Sequence, residues 1–149
     1  MTAAALGSEE IRALIPHAGR MCLITEVLSW DARHLRARTH THLDPAHPLR
    51  RDGRLDALHL IEYGAQAMAI HGGLCARARG ERAAPGWLAA VREFRFAVER
   101  LDDLGAALEL YAEPLHADAR GWLYAVRASC GARELGGGRV AVLPAPSGR

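Results

Sequence analysis

The stretch from Leu55 to Arg77, LDALHLIEYGAQAMAIHGGLCAR, decides the fold. It carries Leu, Ile, Ala, Met, Tyr and Gly on nearly every side of a helical projection, and a helix that is apolar all round is buried all round. Asp52 or Asp56 caps its start. Gly64, Ala65, Ala67, Ala69, Gly72 and Gly73 keep it thin, so that other backbone comes close. About 20 residues of helix span some 30 Å, enough for the axle of a small domain. Gly72-Gly73 weakens its C-terminal end. One carboxylate, Glu62, lies inside the helix. The loop ahead of it begins His47-Pro48 and holds Arg50, Arg51 and Arg54.

Two strands are expected before the helix. Met21 to Ser29 is apolar and β-prone, a largely buried strand. Asp31-Ala32 turns the chain. His34 to His42 alternates, with Leu35, Ala37, Thr39 and Thr41 on one face and Arg36, Arg38, His40 and His42 on the other. His40 and His42, two residues apart on a strand, point the same way. No third ligand follows at a metal-binding spacing, so a solvated or interface face is the better reading. Ahead of these strands, Ser8-Glu9-Glu10 starts a short helix ending at Pro16, and His17 lies in a turn. Leu43 to Arg54 is a loop broken by Pro45, Pro48 and Gly53.

Beyond the helix the period changes. Trp87–Val98, Ala106–Leu115, Gly121–Ser129 and Arg133–Leu143 read as four strands. The glycines at 136 to 138 mark a bulge or bend in the last one. Trp87, Phe94 and Phe96 fill a core or line a tunnel. The order is a short helix, two strands, one long buried helix and four strands. With too few strands to enclose the helix twice, the sheet curls around it, an α+β arrangement. The third strand stays at an open edge and suits pairing with a second copy.

The 149 residues make one domain, 1–149, with 1–7 and 144–149 as flexible tails. A net charge of +2 gives no nucleic-acid signal, although all 19 basic residues are arginine. Cys22, Cys75 and Cys130 form no Cys-x-x-Cys pair, so neither a zinc site nor a disulfide framework is indicated. With no apolar run of membrane-spanning length, a cytoplasmic protein is expected.

Four stretches resemble the hotdog-fold 3-hydroxyacyl-(acyl carrier protein) dehydratases. LIPHAGRMCLITEVLSWD is similar to that family's first helix and strand. His47-Pro48, with Glu62 fifteen residues on, resembles the catalytic histidine and helix acid. LIEYGAQAMAIHGG carries the acid-x-x-Ala-Gln motif. WLAAVREFRFAVERLDDL resembles the long dimer-edge strand. RRDGRL and LIEYGAQA look closest to the small dehydratases of aryl-polyene and related polyketide-like pathways. Where the fatty-acid enzymes carry Pro-Gly ahead of the acid, this chain has Asp56-Ala57, and its His-to-acid gap is one residue longer.

The resemblance implies a hotdog domain with a long central helix wrapped by about six antiparallel strands. It implies removal of water from a 3-hydroxyacyl thioester on acyl carrier protein or coenzyme A, without a metal or other cofactor. His47 is then the base and Glu62 the acid, meeting across a homodimer interface. Ala57 offers its N–H to the thioester carbonyl. Gln66, one turn after Glu62, orients the acid or the substrate. Arg50, Arg51 and Arg54 form a docking lip for the acidic carrier and its phosphate. The rival readings are a hotdog thioesterase, with Glu62 activating water, and a non-catalytic hotdog subunit that binds the carrier.

Overall fold

The computed structural model describes residues 5–15, 19–82 and 86–144. The expected turn at His17 and most of the expected tails lie outside these residues. Helix α1 (Ser8–Arg12) precedes strands β1 (Glu26–Asp31) and β2 (His34–Thr39). Helix α2 (Leu60–Ala78) follows, and then β3 (Gly86–Phe96), β4 (Leu108–Asp118), β5 (Gly121–Cys130) and β6 (Arg133–Pro144). The strands form one antiparallel sheet in the order β1-β2-β4-β5-β6-β3. Helix α2 lies against β2, β4, β5 and β6 and touches β3. The expected order of elements is present, and the architecture is the hotdog.

Burial explains why the helix sits there. Leu60, Tyr63, Ala67, Ile70 and Leu74 are enclosed with Leu35, Ala37, Leu110, Ala112 and Val126 of the sheet. Gly64 sets the approach distance, because a Cβ there would lie 2.8 Å from Val126 Cγ2. Asp56 caps the start, its side chain accepting from Leu58 N–H at 2.9 Å across a single 3-10 turn, Ala57–His59. Leu55 and Ala57 are tied to the segment after β3. Leu101 N–H donates to Leu55 O at 2.8 Å and Ala57 N–H to Glu99 O at 3.0 Å. Asp102 accepts from Leu55 N–H at 2.9 Å. The Arg100 guanidinium beside it holds its carboxyl well below the usual carboxylate range.

Four expectations change. The first strand starts at Glu26, not Met21. Leu23 N–H donates to the Gln66 side chain at 2.9 Å, and Leu23 O accepts the Thr39 and Thr41 hydroxyls at 2.6 and 2.7 Å. Side chains thus satisfy the backbone groups that a strand ladder would have taken. The second strand ends at Thr39, and Thr41–Leu43 is a 3-10 turn. His40 is therefore exposed, whereas His42 is buried with Nε2–H on Leu104 O at 3.0 Å, and the two do not share a face. Trp87 and Phe96 are exposed rather than core-filling, at 59% and 40%, because β3 pairs only with β6 at the sheet edge. Phe94 alone of the three packs against the core. The glycine run itself stays in the strand, while the register slips beside it at Leu135 and across from it near Glu93, whose φ is +51°. The glycines let neighbouring strands close in: a Cβ on Gly137 would stand 2.6 Å from Val126 O.

Candidate active site

The loop carrying His47 is built from local hydrogen bonds. Asp44 accepts from Ala46 N–H through its side chain at 2.8 Å and from His47 N–H through its carbonyl at 3.0 Å. His47 O accepts from Arg50 N–H at 3.1 Å. Asp52-Gly53 makes a two-residue turn with φ of +50° and +73°, the left-handed pair an Asp-Gly turn favours. Arg51 and Arg54 exchange backbone hydrogen bonds across it, both 2.9 Å.

This turn separates the three arginines. Arg50 folds inward, and its guanidinium donates to Gly53 O and His42 O, each at 3.0 Å. It braces the loop, while Arg51 and Arg54 stand exposed. The Ala57 amide, expected free at the helix start, is the one bonded to Glu99 O. It belongs to the clamp holding α2, and in this arrangement it has no hydrogen left for a carbonyl of another molecule.

His47 is only 5% exposed. Leu49 N–H donates to its Nδ1 at 3.1 Å, and its Nε2 lies 3.1 Å from the Tyr63 hydroxyl. Burial, with the positive charge of His59 and Arg50 added, pushes its pKa down to about 4. The ring is therefore neutral at pH 7. Tyr63 is fully buried on α2, and its hydroxyl lies 2.7 Å from Thr41 Oγ1. Burial pushes that phenol above its ordinary range.

Glu62, the residue before Tyr63, is half-buried. Gln66 donates to its Oε1 at 3.0 Å. The amide orientation of Gln66 is fixed by its other partners, since Oε1 must accept from Leu23 N–H and Nε2 must donate to Met21 O at 2.7 Å. Both amide hydrogens are taken, one on Glu62. Gln66 thus holds the Glu62 carboxylate through one of its amide hydrogens. Within one protomer His47 meets Tyr63, and Glu62 meets Gln66. Tyr63 and Glu62 are successive residues of the helix and point roughly 100° apart.

Sequence reading missed Tyr63 and Thr41, treating one as helix packing and the other as a strand face. The available signal was a tyrosine next to the acid: a buried phenol needs a hydrogen-bond partner. It also missed a second buried pair, in which His71 Nδ1 lies 2.6 Å from the Tyr124 hydroxyl and His71 Nε2 lies 2.7 Å from Asp31 O. Among the described residues no group of three or more His, Cys, Asp or Glu is placed to hold a metal ion. No helix of the described chain is long and apolar enough to cross a membrane.

A single helix laid across a six-stranded antiparallel sheet, with an acid-x-x-Ala-Gln segment on that helix, defines a hotdog domain. The chain belongs to the ApeP-like family, described as ApeP dehydratase, which matches residues 9–147. No curated protein matches it in sequence. The structure is similar to the dehydratase heterocomplex ApeI:P from Xenorhabdus doucetiae, with a TM-score of 0.82, 24% identity, and 92% of this chain and 91% of that one covered. A putative thioesterase from Shewanella oneidensis gives a TM-score of 0.63 at 14% identity, over 93% of this chain and 97% of that one. A hypothetical thioesterase with coenzyme A from Streptococcus pneumoniae gives 0.57 at 12% identity, over 80% and 84%. At these identities the solved structures speak to the fold, and the family match speaks to a dehydratase role.

Proposed function

We propose that this protein removes water from a 3-hydroxyacyl thioester to give the trans-2-enoyl thioester, with His47 and Glu62 as the groups that serve the reaction. One observation carries this reading. A buried neutral histidine and a carboxylate held by its own helix glutamine are brought to adjoining residues of one helix. Dehydration requires a group to take the C2 proton, one to protonate the departing hydroxyl, and a donor for the carbonyl oxygen. In the division the resemblance implies, His47 takes the proton and Glu62 gives one.

The acyl group is carried on acyl carrier protein. Arg51 and Arg54 stand exposed on the Asp52-Gly53 turn and suit an acidic carrier and its phosphate. The protein works as a dimer in the cytoplasm. Strand β3 is a sheet edge with unpaired backbone groups, and Trp87, Leu88, Val91 and Phe96 lie exposed along it. A second hotdog chain, a copy or a related subunit, covers them. Val91→Arg is expected to shift sedimentation from dimer to monomer.

The direct test is to incubate the protein with a 3-hydroxyacyl carrier-protein thioester and follow enoyl absorbance. Glu62→Gln should lower turnover by about 10³-fold or more, while an equally active Glu62→Gln would overturn the site. Release of free thiol without enoyl would favour the thioesterase instead. A second reading draws on the Ala57 amide, already bonded to Glu99 O. A subunit lacking that donor would complete a partner chain's site rather than its own. Activity that arises only on mixing with a second hotdog chain would support it.

A further inference from the structure

When the C2 proton of a 3-hydroxyacyl thioester leaves, charge builds on the carbonyl oxygen, and that oxygen needs a donor. The backbone at the head of α2 has none to offer. Ala57 N–H is bonded to Glu99 O at 3.0 Å, Leu58 N–H to the Asp56 carboxylate at 2.9 Å, and His59 N–H to Asp56 O at 3.1 Å. The amide hydrogens of Gln66 are held by Met21 O and Glu62. The His59 side chain stands apart from these. It closes the 3-10 turn Ala57–His59, directly ahead of α2, and is half-buried. Its ring does not cap the helix and has no hydrogen bond to another of the described residues. A histidine ring carries at least one N–H in either charge state. His59 has right-handed helical backbone, with φ −72° and ψ −5°, and lies three residues ahead of Glu62. The two side chains therefore share one face, with Cβ atoms about 5–6 Å apart. The oxygens of the substrate sit on C1 and C3, one carbon between them, and neighbouring side chains on one helix face can reach both. The charge of His59 is also, after burial, the largest influence lowering the His47 pKa, which sets the ring toward the loop histidine.

We propose that His59 donates a ring N–H to the thioester carbonyl of the substrate, one helical turn ahead of the Glu62 that serves the 3-hydroxyl. The inference rests on the dehydratase reading above and deepens it. It supplies within one chain the donor that the Ala57 amide, bonded to Glu99 O, does not offer. The ring hydrogen meets the oxygen where enolate charge develops and stays on the ring throughout. The two proton transfers remain with His47 and Glu62.

The experiment reads the carbonyl and the chemistry separately. The probe is a butanoyl-pantetheine analogue with a methylene in place of the thioester sulfur and 13C at the carbonyl, which can be neither dehydrated nor hydrolysed at that bond. Added to the full-length parent, its carbonyl resonance should move downfield of its position with His59→Leu, or with His59→Ala should the first not fold. His59→Gln keeps an N–H donor and should restore much of the shift. A carbonyl that resonates alike with parent and His59→Leu, or that the parent leaves at its position in buffer, overturns the proposal. In turnover of a 3-hydroxyacyl thioester, His59→Leu should lower kcat by roughly 10²- to 10³-fold with KM changed only a few-fold, and His59→Gln should lose less. Equal kcat in parent and His59→Leu also overturns it, while enoyl formation in both would leave the dehydratase reading standing. If no enoyl forms with the parent, that reading fails, and the carbonyl shift still decides whether His59 is the donor.

Discussion

Helix α2 carries two histidine–tyrosine contacts, one near each end, and they run in opposite senses. Near its start, Leu49 N–H donates to His47 Nδ1, so the Nε2–H of the neutral ring donates to the Tyr63 hydroxyl. Toward its other end, His71 Nε2–H donates to Asp31 O, so the Tyr124 hydroxyl donates to His71 Nδ1. Both histidines are buried and both have pKa values lowered chiefly by burial. Composition and pKa therefore do not tell them apart. The surroundings do. His71 projects from the helix itself and ties it to the end of β1 and, through Tyr124, to β5, with Cys75 alongside. His47 comes from a loop, with Glu62 and Gln66 beside its tyrosine. One pair fastens the helix, and the other sits where a carboxylate has been oriented.

The contrast breaks most sharply at the level of turnover. Glu62→Gln is expected to abolish dehydration while leaving the melting temperature near that of the parent. His71→Gln should keep kcat within a few-fold and lower stability by about 1–3 kcal/mol, because it leaves a buried hydrogen-bonding group unpaired. Calorimetry together with the enoyl assay checks both, and a large kcat loss in His71→Gln would erase the distinction. Next come the tyrosines. Tyr63→Phe should lower kcat by roughly 10-fold or more with KM little changed, whereas Tyr124→Phe should cost about 1 kcal/mol of stability and no kcat.

The last contrast to separate is the dependence on pH. His47 titrates near 4 in the fold and near the ordinary 6.5 when unfolded, so the unfolded chain binds more protons between those values. Stability should be fully present above pH 6.5 and fall toward pH 4, by about 3 kcal/mol from this group if the whole shift is expressed. His71 acts in the same direction. Melting curves at pH 7 and pH 4.5 should show the parent losing more than His47→Gln. A His47→Gln profile identical to the parent's would deny His47 that share.

Much of the fold is legible in the chain because periodicity is local. The all-apolar helix and the four late strands were placed within a few residues by it. Cys22 to Thr25 was not, because Gln66, Thr39 and Thr41, all distant in sequence, take the hydrogen bonds that would have made it a strand. The separation of His40 from His42 was hidden for a related reason. The strand stops at Thr39, and two residues of turn undo the alternation. In the site, Glu62 and Gln66 follow from helical spacing, and the structure joins them. Tyr63 and Arg50 did not reveal their tasks, since each meets groups that only the folded loop brings within reach.

Gly64 stands two residues from Glu62 and holds α2 against the sheet at the distance Val126 permits. A methyl group there would have to move the helix by on the order of 1 Å to restore ordinary contact. Displacements of that size cost reactions about 100-fold when they reach the reacting groups. The permissible error of the scaffold and that of the chemistry are therefore set at one position. Drift in this helix would erase activity well before it erased the fold, leaving intact hotdog chains without turnover as the first survivors of such change.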